Sequence, residues 1–592
     1  MKDFLPISKE DLKKRGWDEL DVILLTGDAY VDHPSYGAAL IGRVLENAGF
    51  KVGIIAQPDW HKLEDFKRLG RPRLFFGVTA GNIDSMLAKY TANKKIRNVD
   101  DYSPGGEPLL RPERASIIYT NKLQEAFKDV PIVLGGIEAS MRRLAHYDYW
   151  SDKVRRSLLL DSKADILVYG MGEKQILEIA NRLKDGIANL ENIPGTVIAR
   201  RSIEDVRNYV LIPSFEDISQ DKNAFNLAFK TIYSESDPIS GKTVAQKCGD
   251  RFVVQYPPAK PLTTEEMDNI YSLSYMRDWH PMYDRKGGVP GFEIVRYSIT
   301  SHRGCSGGCS FCSLYLHQGR IIQSRSIESI VREIAEIAQD NKFRGTISDI
   351  GGPTANMYMA LCPSWEKTGA CRNKQCLVPE KCKNLTLGYE HSLRLWKELE
   401  KIPRVKHVFV GSGMRYDLLI DHSSDKYLEE LCNLHISGQL KVAPEHCRDH
   451  VLEFMNKPQF KIYEKFVDRF QILNQRLGKK QYLVNYLISG HPGARLEDAL
   501  ELALYLAKNH IHPEQVQDYI PLPMTLSGSM YYTEKNPFTG KHLYVAKNQN
   551  DRAMQRALLQ YNNPHNKRFV SRALKILHKE NLSRLFNLRE KY

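Results

Sequence analysis

The chain lacks any long hydrophobic run. In its 592 residues no segment reaches the roughly 18 to 20 uncharged apolar residues that a membrane-spanning helix requires. Its apolar stretches are strand-sized, as at 166–169. A signal peptide is missing too, because seven Lys, Asp and Glu charges precede Arg15. The protein is therefore expected to be soluble and cytoplasmic, with no membrane partner. There is no collagen-like, mucin-like or prion-like tract, and 42% hydrophobic with 26% charged residues is a globular composition. A nucleotide P-loop is also absent. Ser240-Gly241-Lys242-Thr243 has the ending of one, but the opening glycine would fall at Ser236, which leaves no glycine-rich cradle for phosphates.

What is present is length, clustered cysteine and basic charge. A chain of 592 residues exceeds a single ordinary core, so at least two packed domains are expected. Seven of the ten cysteines fall between Cys305 and Cys382. Without an export signal, such clustering points to metal rather than disulfides. Cys248, Cys432 and Cys447 stand apart and read as small buried side chains. The net charge is +13, and from Lys541 to Tyr592 twelve Lys/Arg face only Asp551, Glu580 and Glu590. A solvated helical face and a phosphate-contacting surface for RNA both fit that excess.

The hydrophobic rhythm predicts an α/β protein. Within residues 1–200, strands at 22–26, 52–56, 74–79, 132–134 and 166–169 alternate with helical stretches. Several run into glycine turns, at Gly27, Gly81, Gly135-Gly136 and Gly170-Met171-Gly172. This is a Rossmann-like domain with its ligand crevice at the strand ends. Residues 201–290 read as a connector with a helix at 264–273. Residues 291–530 resume the alternation, with strands at 292–299, 345–349, 405–410, 439–442, 481–488 and 515–519 and helices such as 326–339 and 496–507. Six strands with intervening helices suit a partial (β/α)6 barrel, whose chemistry belongs at the carboxyl ends of its strands. Residues 531–592 read as a basic helical tail.

Directly after the first strand of that second run comes Thr300-Ser301-His302-Arg303-Gly304-Cys305-Ser306-Gly307-Gly308-Cys309-Ser310-Phe311-Cys312. The spacing C-x-x-x-C-x-x-C lets three thiolates converge on one cubane, and the glycines relieve the crowding of so tight a wrap. Three thiolates satisfy three irons. The fourth keeps open coordination, able to chelate the amino and carboxylate groups of a small molecule. A structural zinc knuckle would need a fourth protein ligand, from His302, His317 or elsewhere.

This motif and its setting resemble the radical S-adenosylmethionine (SAM) superfamily, and nearly the whole chain resembles the YgiQ family within it. The resemblance implies a [4Fe-4S] cluster on Cys305, Cys309 and Cys312. Once reduced by a donor such as flavodoxin or ferredoxin, the cluster cleaves SAM to methionine and a 5′-deoxyadenosyl radical. It also implies a SAM site. Phe311 corresponds to the aromatic position near the adenine, and Gly351-Gly352 to the glycine pair at the SAM amino group, although Pro353 stands where a glutamate is often found. Arg415, in Gly411-Ser412-Gly413-Met414-Arg415, corresponds to the segment near the ribose and carboxylate. Val442-Ala443-Pro444-Glu445-His446 and Ile488-Ser489-Gly490-His491-Pro492-Gly493 resemble segments of the methylthiotransferase-like branch. There Glu445 or His446 either faces substrate or ribose or has a hydrogen-bonded structural role.

Two further features bear on the reaction. Cys362, Cys371, Cys376 and Cys382 lie within 21 residues, enough for a closed zinc site or an auxiliary iron–sulfur cluster. Their spacing matches no standard ribbon, so unliganded thiols stay open as a reading. The amino-terminal domain resembles the cobalamin-binding type at Asp32-His33-Pro34-Ser35-Tyr36-Gly37, Gly135-Gly136 and Tyr169-Gly170-Met171-Gly172-Glu173. The D-x-H-x-x-G signature is missing, because Asp32 and His33 are adjacent. Cobalamin then remains only without that ligand, and a degenerate domain that covers the barrel or helps recognise substrate is the expectation. The sequence reading is a radical SAM enzyme that modifies a macromolecule, tRNA or protein. A cobalamin-dependent methyltransferase and a non-catalytic metal-stabilised RNA-binding protein are the alternatives.

Overall fold

Five short apolar runs become parallel strands: Val22–Thr26 (β1), Val52–Ala56 (β2), Phe75–Thr79 (β3), Ile132–Gly135 (β4) and Ile166–Val168 (β5). Every residue of β1 and β2 is buried. Continuous apolar runs of this kind suit a parallel sheet covered on both faces. The computed structural model describes residues 3–513 and 516–588. Two compact units divide the chain, the first comprising Met1–Thr300, Leu316–Glu333 and Ser364–Ala370, the second Ser301–Tyr315, Ile334–Pro363 and Cys371–Tyr592.

In the first unit the parallel strands stand in the order β2-β1-β3-β4-β5. This is the flavodoxin-like doubly wound order, whose switch point lies between β1 and β3. The helices Gly37–Asn47 and Glu173–Lys184 turn Leu40, Val44, Leu45, Ile176 and Ile179 into the same core as Leu24, Ile54, Val133 and Ile166. Residues 201–290, read as a connector, instead enlarge the sheet. Thr196–Arg200 (β6), Tyr209–Ile212 (β7), Thr243–Cys248 (β8) and Arg251–Gln255 (β9) extend it to nine strands, continuing from β5 as β6-β9-β8-β7. The β8–β9 hairpin inserts antiparallel against β6. Its two-residue turn, Gly249-Asp250, is too polar to stand out from the surrounding clusters. The helix expected at 264–273 forms over Thr264–Tyr271, started by a capping box between Thr263 and Glu266.

The strand expected at 292–299 is replaced by a helix over Pro290–Val295 and a short strand at Ser298–Thr300. Pro290 opens that helix, where its missing N–H and fixed φ cost nothing.

The second unit alternates strand and helix. Thr346–Ile347 (β10), Asp349–Gly351 (β11) and His407–Val408 (β12) are followed by Gln439–Glu445 (β13), Tyr482–Ser489 (β14) and Val516–Asp518 (β15). β10 pairs with β12, β13 with β14 and β14 with β15, all parallel. A parallel bridge from Met414 to Val442 continues the arc, giving the partial barrel. The expectation at Gln515 lies outside the described residues. The stretch read as a basic tail is helical, and its helices Gln549–Leu559 and Lys567–Ile576 pack into a core with helix Leu496–Lys508 through Met554, Leu558, Val570 and Leu574. Among the described residues no helix is long and apolar enough to cross a membrane.

Candidate metal and cofactor site

The cysteine loop lies in the second unit, and backbone bonds hold it there. The Ser310 N–H donates to the Met455 carbonyl (3.0 Å) and the Ser527 N–H to the Ser310 carbonyl (2.9 Å). Within the loop the Cys312 N–H donates to the Cys309 carbonyl (3.1 Å). Ser310 Oγ lies 2.7 Å from the Phe454 carbonyl and 2.7 Å from Ser527 Oγ, and Ser527 Oγ is 2.7 Å from His491 Nε2. His491 Nδ1 donates to the Pro492 carbonyl, so Nε2 accepts. Burial pushes this histidine down to about 3, which keeps the ring neutral. Phe311, the expected adenine neighbour, is half-buried with its ring edge-on to His491 at 6.1 Å.

Cys305, Cys309 and Cys312 are free thiols, each partly buried. Cys305 Sγ lies 3.7 Å from Thr354 Oγ1 and receives the Gly307 N–H at 3.4 Å. Burial raises the Cys305 thiol, with the Cys309 charge adding to it. Burial with the neighbouring Cys309 and Cys305 charges pushes Cys312 up to about 12. Buried thiols raised in this way become ligands only when a cation compensates the thiolates. Among the described residues the three sulfurs do not close to within 4.8 Å of one another. A single zinc, at about 2.3 Å from each sulfur, would draw them closer than that, whereas a cubane places each on a different iron. The donor set therefore fits a cluster.

Arg415 is 5% exposed. Its Nε and Nη2 donate to the two Asp417 oxygens at 2.9 and 2.6 Å, and Nη1 donates to Cys309 Sγ at 3.5 Å. The fork expected to meet a SAM carboxylate thus has two of its nitrogens on Asp417, which turns the third toward the cysteines. A side chain at Gly307 would put its Cβ 3.1 Å from Arg415 Nη1 and 3.3 Å from Cys305 Sγ. That position needs a glycine for close approach rather than for backbone freedom.

Gly351 and Gly352 end β11 beside this loop. The Gly351 carbonyl accepts from the Ser301 N–H (2.8 Å). A Cβ at Gly352 would meet the His302 ring at 2.7 Å. His302 is wholly buried, donates from Nε2 to the Thr354 carbonyl at 3.1 Å, and has Nδ1 2.9 Å from Ser301 Oγ. Burial lowers it to about 4. This neutral histidine clamps the cysteine loop to the glycine loop, and Asn356 clamps the next element by exchanging two bonds with the Arg415 backbone (2.9 and 3.1 Å).

Glu445 closes β13 with a left-handed backbone, φ 65°, after a bulge at Ala443-Pro444. It is 6% exposed, and among the described residues its one ion-pair contact is Lys457 Nζ at 4.0 Å. Burial pushes its carboxyl up to about 7 against the opposing pull of Lys457 and Arg415. His446 makes the hydrogen bonds of a structural role. Its Nδ1 accepts the Cys447 and Arg448 N–H groups at 3.0 and 3.1 Å, which fixes the turn.

Sequence reasoning weighed His302 only as a fourth zinc ligand and not as the clamp it forms. It missed the roles of Thr354, Asp417, Lys457 and Ser527, which are brought in by the fold. Of the second cysteine group, Cys376 is buried, Cys362 and Cys382 are partly buried and Cys371 is exposed. The Cys382 N–H donates to the Cys376 carbonyl at 2.7 Å. Among the described residues no three of these thiols converge within 4.8 Å. In the first unit, Asp32 is ion-paired to Arg43 with both side chains buried. His33 is buried, accepts the Ser35 N–H at Nδ1 (3.1 Å) and has Nε2 3.4 Å from Arg277 Nη1.

Comparison with known proteins agrees with this geometry. Residues 4–298 match the family described as radical SAM N-terminal, residues 299–506 the radical SAM superfamily, and residues 514–584 a domain of unknown function, DUF3362. A UPF0313 protein of Clostridium botulinum strain 657 is 53% identical over 98% of this chain and 91% of its own length. One of Methanocella arvoryzae is 53% identical over 96% and 94%, and one of Methanosarcina mazei 52% over 96% and 96%. Among solved structures, the radical SAM methyltransferase TsrM of Kitasatospora setae, with tryptophan and a SAM analogue bound, aligns with TM-score 0.48 at 17% identity over 85% of this chain and 75% of its own. The cobalamin-dependent radical SAM enzyme OxsB, with aqua-cobalamin bound, aligns with TM-score 0.49 at 9% identity over 97% and 77%. At more than half identity along nearly its whole length, the chain belongs to the UPF0313 family, the YgiQ-type family of radical SAM enzymes that work with a [4Fe-4S] cluster and SAM.

Proposed function

We propose that Cys305, Cys309 and Cys312 hold the cluster and that the enzyme uses it to modify a macromolecule, RNA being the favoured substrate class. The observation that carries the ligand assignment is the convergence in one unit of three free thiols, the Gly351-Gly352 loop and Arg415. When bound and reduced by a low-potential donor such as flavodoxin or ferredoxin, the cluster supplies an electron that splits SAM to methionine and a 5′-deoxyadenosyl radical.

The chain's own residues position the parts. Gly351 and Gly352 offer backbone groups to the SAM amino end, and Phe311 offers an aromatic edge to its adenine. Asp417 orients Arg415 so that Nη1 faces Cys309, where it would stand beside a bound cluster and donate to the SAM carboxylate. RNA as substrate is supported by Lys567, Arg568, Arg572, Lys575 and Lys579, all exposed on or just beyond the helix Lys567–Ile576. Such a face gives affinity that falls steeply with salt. A cobalt-ligating role is disfavoured for His33, which is buried with both ring nitrogens engaged.

The test is anaerobic reconstitution followed by assay of 5′-deoxyadenosine under a strong reductant, with mass analysis of RNA and protein from cells with and without the enzyme. SAM cleavage that depends on Cys309, with a mass change in RNA, is the expected result. A full cluster without cleavage overturns the assignment. A change confined to protein moves the substrate, and corrinoid retained on purification moves the reading to a cobalamin-dependent methyltransferase.

A further inference from the structure

Away from the cysteines, the second unit holds another donor set. A ring nitrogen of His435 and one carboxylate oxygen each from Glu400 and Glu430 lie within 4.8 Å of one another. Among the described residues this is the one such group of histidine, cysteine and acidic side chains. Glu400 caps the helix Tyr389–Leu399, and Glu430 ends the helix Asp425–Glu430. His435 closes the π-helical turn Leu431–His435, a rare geometry that recurs at functional sites. The group sits where helices end and β12 and β13 begin. Gly411–Arg415 follow the other end of β12, and Glu445 closes the other end of β13.

Several observations make this a built site. His435 is 2% exposed, and its Nδ1 donates to the Val408 carbonyl at 2.7 Å. That bond fixes the tautomer and leaves the Nε2 lone pair available. Nε2 is buried with no hydrogen-bond partner. A histidine whose one nitrogen donates to a backbone carbonyl while the other stays unpaired has the arrangement of a metal-ligating imidazole. Burial lowers its proton affinity, in keeping with the neutral ligand form. Trp396, its ring centroid 4.2 Å away, fixes the ring plane. Neither Glu400 nor Glu430 is in an ion pair among the described residues, so two neighbouring carboxylates meet without a protein cation. The helix Tyr389–Leu399 presents its C-terminal, partially negative end there.

We propose that Glu400, Glu430 and His435 bind a divalent first-row cation, with Zn²⁺ and Mn²⁺ the best match for two carboxylates and an imidazole. The ion ties two helix ends to β12 through the His435–Val408 bond. On the amino-terminal side of a barrel such a tie stabilises rather than catalyses.

The experiment uses the cluster-loaded full chain, desalted after chelation under anaerobic conditions. Binding of MnCl2 is followed by loss of the free-ion electron paramagnetic resonance signal, and thermal melting is recorded with and without ZnCl2. Wild type is expected to bind one Mn²⁺ per chain and to melt several degrees higher with Zn²⁺. Glu400→Gln and Glu430→Gln leave the His435 packing intact. Each should weaken Mn²⁺ binding at least about tenfold and abolish the Zn²⁺ shift while iron, sulfide and SAM cleavage are retained. The proposal is overturned if wild type leaves the Mn²⁺ signal unchanged. It is equally overturned if both glutamine variants bind as wild type does, or if the Zn²⁺ shift disappears with Cys376→Ser and survives in Glu430→Gln.

Discussion

The strand ends of the two units treat charge in opposite ways. In the first unit the switch point between β1 and β3 is closed by buried ion pairs: Arg111 meets Asp28 at 3.0 Å and Asp100 at 3.2 Å, all three nearly inaccessible. Asp32 is matched by Arg43, and Glu333 by both Arg277 and Arg325. Even so, burial lifts Asp28 to about 6. In the second unit the corresponding positions carry the Cys305 and Cys312 thiols, which burial raises, and a glutamate whose lysine partner lies 4.0 Å away. Burying ionisable groups without partners is costly. A protein keeps such groups where a ligand completes them, so the contrast separates a crevice built for cohesion from one built for a cofactor.

The sharpest way to break the comparison is Cys309→Ala, which should remove cluster iron and sulfide and lower 5′-deoxyadenosine formation below detection. Retention of a full cluster would place the ligands elsewhere. Next, Arg111→Met strips the partner from Asp28 and Asp100 and should cost about 3 to 5 kcal/mol in urea unfolding. A loss under about 1 kcal/mol would mean that the switch point is open after all.

Glu445 gives a pH signature of intermediate size. Its folded value, about 7, lies above the ordinary 4.5. The neutral carboxyl therefore contributes stability fully present below about pH 4.5 and lost as pH rises through about 7, up to roughly 3 kcal/mol in all. Glu445→Gln should abolish that slope and leave the variant more stable than wild type at pH 8, by denaturant melts at pH 5 and 8. Identical slopes would show that the carboxyl is solvated. Smallest is Gly352→Ala, whose Cβ would press on the His302 ring. A cost of about 1 to 3 kcal/mol with weakened SAM binding by calorimetry is expected, and an unchanged SAM affinity would detach the glycine loop from the cofactor.

Legibility followed locality. β1 and β2 were read to the residue because a strand buried on both faces is a contiguous apolar run. The cysteine motif was legible because three ligands to one cluster fit within eight residues. The helix at Pro290–Val295 was misread as strand because apolar content outweighed the proline signal at its start. The strand β7 was missed because it is largely exposed, and β8 and β9, though mostly buried, because Gln246, Lys247 and Gln255 interrupt their apolar runs. Arg415 was found but not its partner, since Asp417 becomes meaningful only once the chain turns both side chains toward Cys309.

From the sequence alone came the α/β class and the clustering of Cys305, Cys309 and Cys312, because each is written in nearby residues under local steric and spacing rules, and the resemblance carried by that motif supplied the radical SAM chemistry. Tertiary structure decided which charges are cancelled and which are left waiting. The Arg111 pairs, the His302 clamp, the lifted Glu445 and the Glu400–Glu430–His435 group join residues from separate elements. Burial and pairing arise only when those elements are packed together.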